Sequence, residues 1–154
     1  MLNQPDGLVM SSVAILCDWQ NVRGTQAQLR CLIAFACLRG TIAFKRAYAH
    51  WRREEAQWEE VFDDLEFECI NTPSSKRKKN NADHKLIAHC RQQILPHPDI
   101  KTVILLSGDG DFKGLVCDLQ AKGKEVIVIA QCLKKTSRKL RQAADEFHLW
   151  QQLC

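Results

Sequence analysis

The chain has 154 residues, 45% of them apolar and 26% charged, with a formal net charge of +4. These numbers fit a single domain over residues 1–154 that can bury a substantial core. No stretch approaches the ~20 apolar residues of a membrane span, and MLNQPDGLVM lacks the basic-then-apolar order of a secretory signal, so the cytoplasm is the expected compartment and a membrane partner is excluded.

Along the chain, 13–17 (VAILC) is an uninterrupted apolar run, as expected for a strand covered on both faces. From Thr25 to Leu38, Leu29, Leu32, Ile33 and Ala36 recur at helical spacing, and Gly40 stops the helix. Residues 41–48 read as a second strand, 52–65 as a polar amphipathic helix and 66–70 as a short third strand. Residues 71–80 (NTPSSKRKKN) form a loop without apolar period. A helix follows over 81–94, with Leu86, Ile87, Cys90 and Ile94 on one face, and Pro96 and Pro98 end it. TVILL (102–106) is the clearest strand, 111–122 a helix closed by Gly123, and EVIVIA (125–130) a fifth strand. Residues 137–144 are helical and 146–150 form a short terminal strand, an exposed edge that would suit a homodimer. This alternation predicts an α/β chain, a three-layer α/β/α sandwich with a mostly parallel, Rossmann-like central sheet. In a 3-2-1-4-5 strand order, functional groups gather at the carboxyl ends of strands one and four.

Charge and cysteine usage narrow the chemistry. Two basic clusters, Lys76, Arg77, Lys78 and Lys79, and Lys134, Lys135, Arg138, Lys139 and Arg141, suit a polyanion as well as a solvated surface. Eight cysteines include no CxxC pair, so zinc has no support, and they read as reduced core thiols. Trp19 and Trp51 are expected in the core, with base stacking as the lesser alternative.

The informative residues are acids after strands. Asp18 follows VAILC, and Asp109 and Asp111 follow TVILLSG. Asp83 opens the helix after the basic loop and shares the stripe of Leu86, Ile87 and Cys90, which aims it inward. Gathered carboxylates need a counter-charge, and oxygen ligands suit a hard cation, Mg²⁺ or Mn²⁺. Each acid also has a local reading. Asp111 would cap the helix starting at Phe112, Asp83 would cap its own helix, and Asp109 would serve a tight turn. Gly108 and Gly110 would permit a sharp turn or close ligand approach. Ser107 and Asn21 would orient an acid or a ligand.

AILCDWQNV (14–22), KNNADHKLI (79–87), LLSGDGDFKGLVCDLQAKGKEVIVI (105–129) and LRQAADEFHLW (140–150) together resemble the LabA-like branch of the NYN family, within the PIN-like nuclease superfamily. The resemblance implies a PIN-like fold and metal-dependent ribonuclease chemistry, with Asp18, Asn21, Asp83, Asp109 and Asp111 as the catalytic set. Asp18, Asp83, Asp109 and Asp111 are the implied ligands of Mg²⁺ or Mn²⁺, with Ser107 supporting. Where many relatives carry another aspartate, nearly two turns after Asp83, this chain has His89. Asp145 matches a late family aspartate. The expected reaction is hydrolysis of RNA phosphodiester bonds, with Lys76, Arg77, Lys78 and Lys79 guiding the nucleic-acid backbone. The alternative is a weak or inactive RNA-binding, regulatory module of the same fold. A phosphatase of small molecules ranks third, because Gln20 stands where its second acid belongs.

Overall fold

The structure, a computed structural model, describes residues 11–72 and 81–154, side chains excepted at 81–83. The basic block 76–79 lies outside the described residues.

Six strands form one sheet in the order β3-β2-β1-β4-β5-β6: β1 Ser12–Asp18, β2 Thr41–Ala49, β3 Glu68–Asn71, β4 Ile100–Leu106, β5 Glu125–Ala130 and β6 Glu146–Leu149. Every pairing is parallel, so each connection is a crossover, and helices fill them: α1 Gln26–Cys37, α2 Ala56–Asp64, α3 Asn81–His89, α4 Lys113–Ala121 and α5 Arg138–Ala143. The chain runs outward from β1 to β3, returns through α3 to β4, and runs outward again to β6. The order therefore reverses between β1 and β4, which opens a crevice at their carboxyl ends.

Strand periodicity divides the core into two layers. Val13, Ile15 and Cys17, with Ile104, Leu106, Ile127 and Ile129, pack against Leu29, Leu32 and Ala36 of α1 and Phe62 of α2. Ala14 and Leu16, with Tyr48, Val103, Leu105, Val126 and Val128, pack against Leu86, Leu115, Leu119 and Leu140 of the other helices. Both faces of β1 and β4 are covered, which explains their unbroken apolar runs. Asp18 continues the Ala14–Leu16 face and so looks toward α3 and α4.

Local chemistry adjusts several expected boundaries. Thr25 and Gln28 form a reciprocal capping box at α1. The polar segment after β2 splits into a 3₁₀ turn, Trp51–Arg53, and α2. The helix beginning at Asn81 ends α-helically at His89 and continues as a π-helical turn, Cys90–Ile94. The Leu95 N–H there donates to the Cys90 carbonyl at 2.8 Å.

The reduced-thiol expectation fails at one pair. Cys31 of α1 and Cys154 form a disulfide across 123 positions of sequence. Cys17 and Cys90 are buried as expected, but Cys37 and Cys117 are exposed free cysteines. No described helix is long and apolar enough to cross a membrane.

Candidate metal and nucleic-acid site

Asp18 is the last residue of β1 and only 3% exposed. Its carbonyl accepts from the N–H groups of Asn21 and Val22 at 3.0 and 2.9 Å, turning the chain sharply beyond the strand. On the neighbouring strand, the Ser107 N–H still donates to the Ile129 carbonyl at 3.1 Å, so Ser107 extends β4 by one residue.

Ser107 joins the two acids. Its buried hydroxyl donates to Asp18 Oδ2 at 3.2 Å and accepts from the Asp109 N–H at 3.1 Å. Asn21 Oδ1 accepts from the Gly108 N–H at 2.9 Å and clasps the same turn from the β1 side. The D-x-x-N segment and the SGD segment are thus locked together at the point where strand order reverses. Just below, burial and the neighbouring Asp18 charge push the Cys17 thiol well above its ordinary pKa.

The cap belongs to Asp109, not Asp111. Asp109 Oδ1 accepts from the Asp111 N–H at 2.9 Å and caps a 3₁₀ turn, Gly110–Phe112, that precedes α4. Asp111 is exposed on that turn. Asp109 Oδ2 carries no hydrogen bond among the described residues, so one oxygen of the carboxylate remains for a ligand. Asp83 is the third residue of α3, which packs on β1 and on the 110–112 turn; its side chain lies outside the described ones.

The glycines act differently from expectation. Neither Gly108 nor Gly110 needs a positive φ. A Cβ on Gly108 would stand 2.6 Å from the Lys135 carbonyl oxygen, and one on Gly110 would stand 2.7 Å from Ser137 Oγ. The close approach they allow is that of the chain's own segment 135–137, whose Ser137 N–H donates to the Gly108 carbonyl at 2.8 Å.

Among the described residues, no three His, Cys, Asp or Glu side chains gather as a metal-holding group. The described donors at the crevice are the Asp18 and Asp109 carboxylates with the Ser107 hydroxyl. This oxygen set fits Mg²⁺, which binds through one or two carboxylates and keeps waters and phosphate oxygens as its other ligands. It does not fit zinc.

His89 takes no part in an acid cluster. The Tyr48 hydroxyl lies 2.9 Å from His89 Nδ1. Burial, then the charges of Arg46 and Lys85, hold the His89 pKa below its ordinary value, while burial pushes Tyr48 up to about 12. The pair is a hydrogen bond between the phenol and the imidazole, in which either group can donate according to the imidazole tautomer. Tyr48 pairs in register with Asp18, so this couple flanks the crevice.

Three other expectations resolve clearly. Trp19 is fully buried against Trp58 and Phe62, at 5.0 and 4.9 Å between ring centroids. Trp51 donates its indole N–H to the Ile70 carbonyl at 3.0 Å and stacks on no solvent face. Asp145 sits at the opposite, amino end of the sheet, where Oδ2 accepts from the Val126 N–H at 2.8 Å. A groove of about 600 Å³ between α2 and β3 is lined by Glu59, Glu60, Asp63 and Glu68, an environment that repels phosphate, and it lies away from the crevice.

A family model described as NYN domain matches residues 12–151. Among solved structures, a protein of unknown function from Vibrio parahaemolyticus is 27% identical, with a TM-score of 0.76 and 96% of each chain covered. No curated protein matches.

Proposed function

The chain belongs to the NYN domain family, and from that premise we propose that it is a metal-dependent ribonuclease of the LabA-like branch, one domain over 1–154, acting in the cytoplasm. The observation that carries this reading is the junction of Asp18 and Asp109 through Ser107 at the reversal of strand order. Bound there, Mg²⁺ or Mn²⁺ would supply charge neutralisation at the phosphate and acidification of water.

The chain's own groups would do the rest. Asp18, Asp83, Asp109 and Asp111 would hold the cation. Ser107 keeps Asp18 oriented, and Asn21 fixes the Gly108 peptide so that the turn carrying Asp109 cannot drift. Lys76, Arg77, Lys78 and Lys79 precede Asp83 in sequence and would draw the RNA backbone toward it. The outer edge of β6, the last strand of the sheet, is the proposed surface of a homodimer.

One observation favours a second reading, an RNA-binding regulatory module with little turnover: His89 is committed to Tyr48 and supplies no carboxylate. A cleavage assay on single-stranded RNA with Mn²⁺ separates the two. The ribonuclease reading expects cleavage by the wild-type protein and none by Asp18→Asn or Asp109→Asn, both folded. Salt-sensitive binding without cleavage by the wild type favours the module, and equal cleavage by wild type and both variants rejects the acidic site.

A further inference from the structure

We infer that the segment Leu133–Lys139 is a second contact for the sugar-phosphate backbone of single-stranded RNA, running alongside the Asp109 turn. The inference rests on RNA as the partner in the reading above. It adds a surface that the reading does not use.

The segment leaves the carboxyl end of β5 as a 3₁₀ turn, Leu133–Lys135, and enters α5 through the Ser137 cap. It is well fixed. The Thr136 hydroxyl donates to the Cys132 carbonyl at 2.5 Å, and the Thr136 N–H donates to the Leu133 carbonyl at 3.1 Å. The Ser137 N–H bonds the Gly108 carbonyl at 2.8 Å, and the Lys135 carbonyl oxygen fills the space a Cβ on Gly108 would need. Asp109 is the next residue after Gly108, one Cα step of about 3.8 Å. The segment and the acidic turn are therefore in direct backbone contact.

Its side chains face water. Lys134, Lys135, Arg138 and Lys139 are exposed, and none makes an ion pair with a described carboxylate. Elsewhere in the described chain, Arg23, Arg39, Arg46 and Arg91 are each paired with a nearby acid. Four such cations within six positions make a concentrated positive field beside acids that would otherwise repel a phosphodiester. Leu133, 52% exposed at the head of the segment, adds an apolar surface for an unstacked base. A rigid run of cations with one apolar face suits a flexible strand followed along its backbone.

The test compares wild type with the fourfold variant Lys134→Ala, Lys135→Ala, Arg138→Ala, Lys139→Ala. A control, Lys101→Ala with Lys122→Ala, removes exposed cations from the amino end of the sheet. Circular dichroism verifies folding. Anisotropy with a single-stranded oligoribonucleotide of about 16 nucleotides, in EDTA to prevent cutting, is read across a salt series. The fourfold variant is expected to bind about tenfold or more weakly, and its slope of log affinity against log salt to fall by about 3, at ~0.7 for each phosphate no longer neutralised. The control is expected to bind like wild type. Wild-type affinity in the fourfold variant, or an equal weakening in the control, overturns the inference. Cleavage with Mn²⁺ is measured on the same proteins. Wild type that binds through these residues but does not cut removes the ribonuclease reading and keeps the second RNA surface. Wild type that cuts, beside a fourfold variant with full affinity, removes the second surface alone. No RNA binding by wild type removes both.

Discussion

Replacing Ser107 by alanine isolates the bond that holds the two acids together. The substitution keeps the Cβ and leaves a small void in a fully buried position. It removes the hydroxyl that donates to Asp18 Oδ2 and accepts from the Asp109 N–H. Asp18 is almost fully buried, so its carboxylate loses a charge-assisted partner, a cost of about 1.5–3 kcal/mol. Asp109 is half-exposed, so water restores most of its N–H bond. The net expectation is a destabilisation of about 2 kcal/mol, or a Tm lower by about 4–8 °C for a chain of this size. Urea unfolding followed by tryptophan fluorescence reads it, with an unchanged m-value as the check that the unfolded state is the same. A cycle with Asp18→Asn is expected to give a coupling of about 1 kcal/mol, because the charge-assisted part of the bond exists only in the wild-type pair. A destabilisation below ~0.5 kcal/mol with no coupling would refute the reasoning: the hydroxyl would then not be what fixes Asp18 against the Asp109 turn.

Other consequences concern the rest of the molecule. The Arg39 hydrogen bonds, aided by His148, lower Glu146 from 4.5 to about 2. The folded pKa is depressed, so this stabilisation is present above pH 4.5 and is lost as pH falls toward about 2. Glu146→Gln should flatten the pH dependence of stability over that window by about 1–2 kcal/mol after screening, as read by urea midpoints. Cys31→Ser should lower stability by about 2–4 kcal/mol under oxidising conditions and leave it unchanged in excess dithiol, as read by paired melting curves. His89→Asp should raise Mn²⁺-dependent cleavage on the order of tenfold by adding a carboxylate beside the crevice; an unchanged rate would keep His89 out of the chemistry.

The strands nearest the crevice were legible because burial on both faces writes itself into sequence. Residues 13–17, 103–106 and 126–130 are apolar without a break, so Asp18 and Ser107 announced where the strands carrying VAILC and TVILL stop. Alternation of elements implied the parallel sheet but not its strand order; the 3-2-1-4-5 order was a supposition from the common arrangement, and the structure has it, with β6 added as the outer neighbour of β5. Features set by tertiary packing were not legible. Asp111 looked like a helix cap because the helix was expected to start at Phe112, but a 3₁₀ turn at Gly110–Phe112 passes the capping role back to Asp109. The Cys31–Cys154 link has no local spacing to betray it. The core position expected for Trp19 was legible, by contrast, because the residue continues the odd-numbered face of Val13, Ile15 and Cys17 beyond the strand end.

The two glycines of GDGD connect these levels. Their sequence context suggests room for a ligand, and the structure fills that room with the Lys135–Thr136 backbone beside Gly108 and the Ser137 side chain beside Gly110. Packing, not attraction, therefore sets how close the cations come to the acids. The basic side chains stand in solvent beside the carboxylates without pairing to Asp109, since the segments meet through peptide groups and one hydroxyl. Had the charges simply neutralised each other, neither the proposed cation site nor the proposed phosphate track would have free groups to offer. Keeping both charge sets apart at backbone contact distance leaves room for the two proposed roles side by side: carboxylate oxygens at the switch point for a cation, and an exposed positive edge for an RNA backbone.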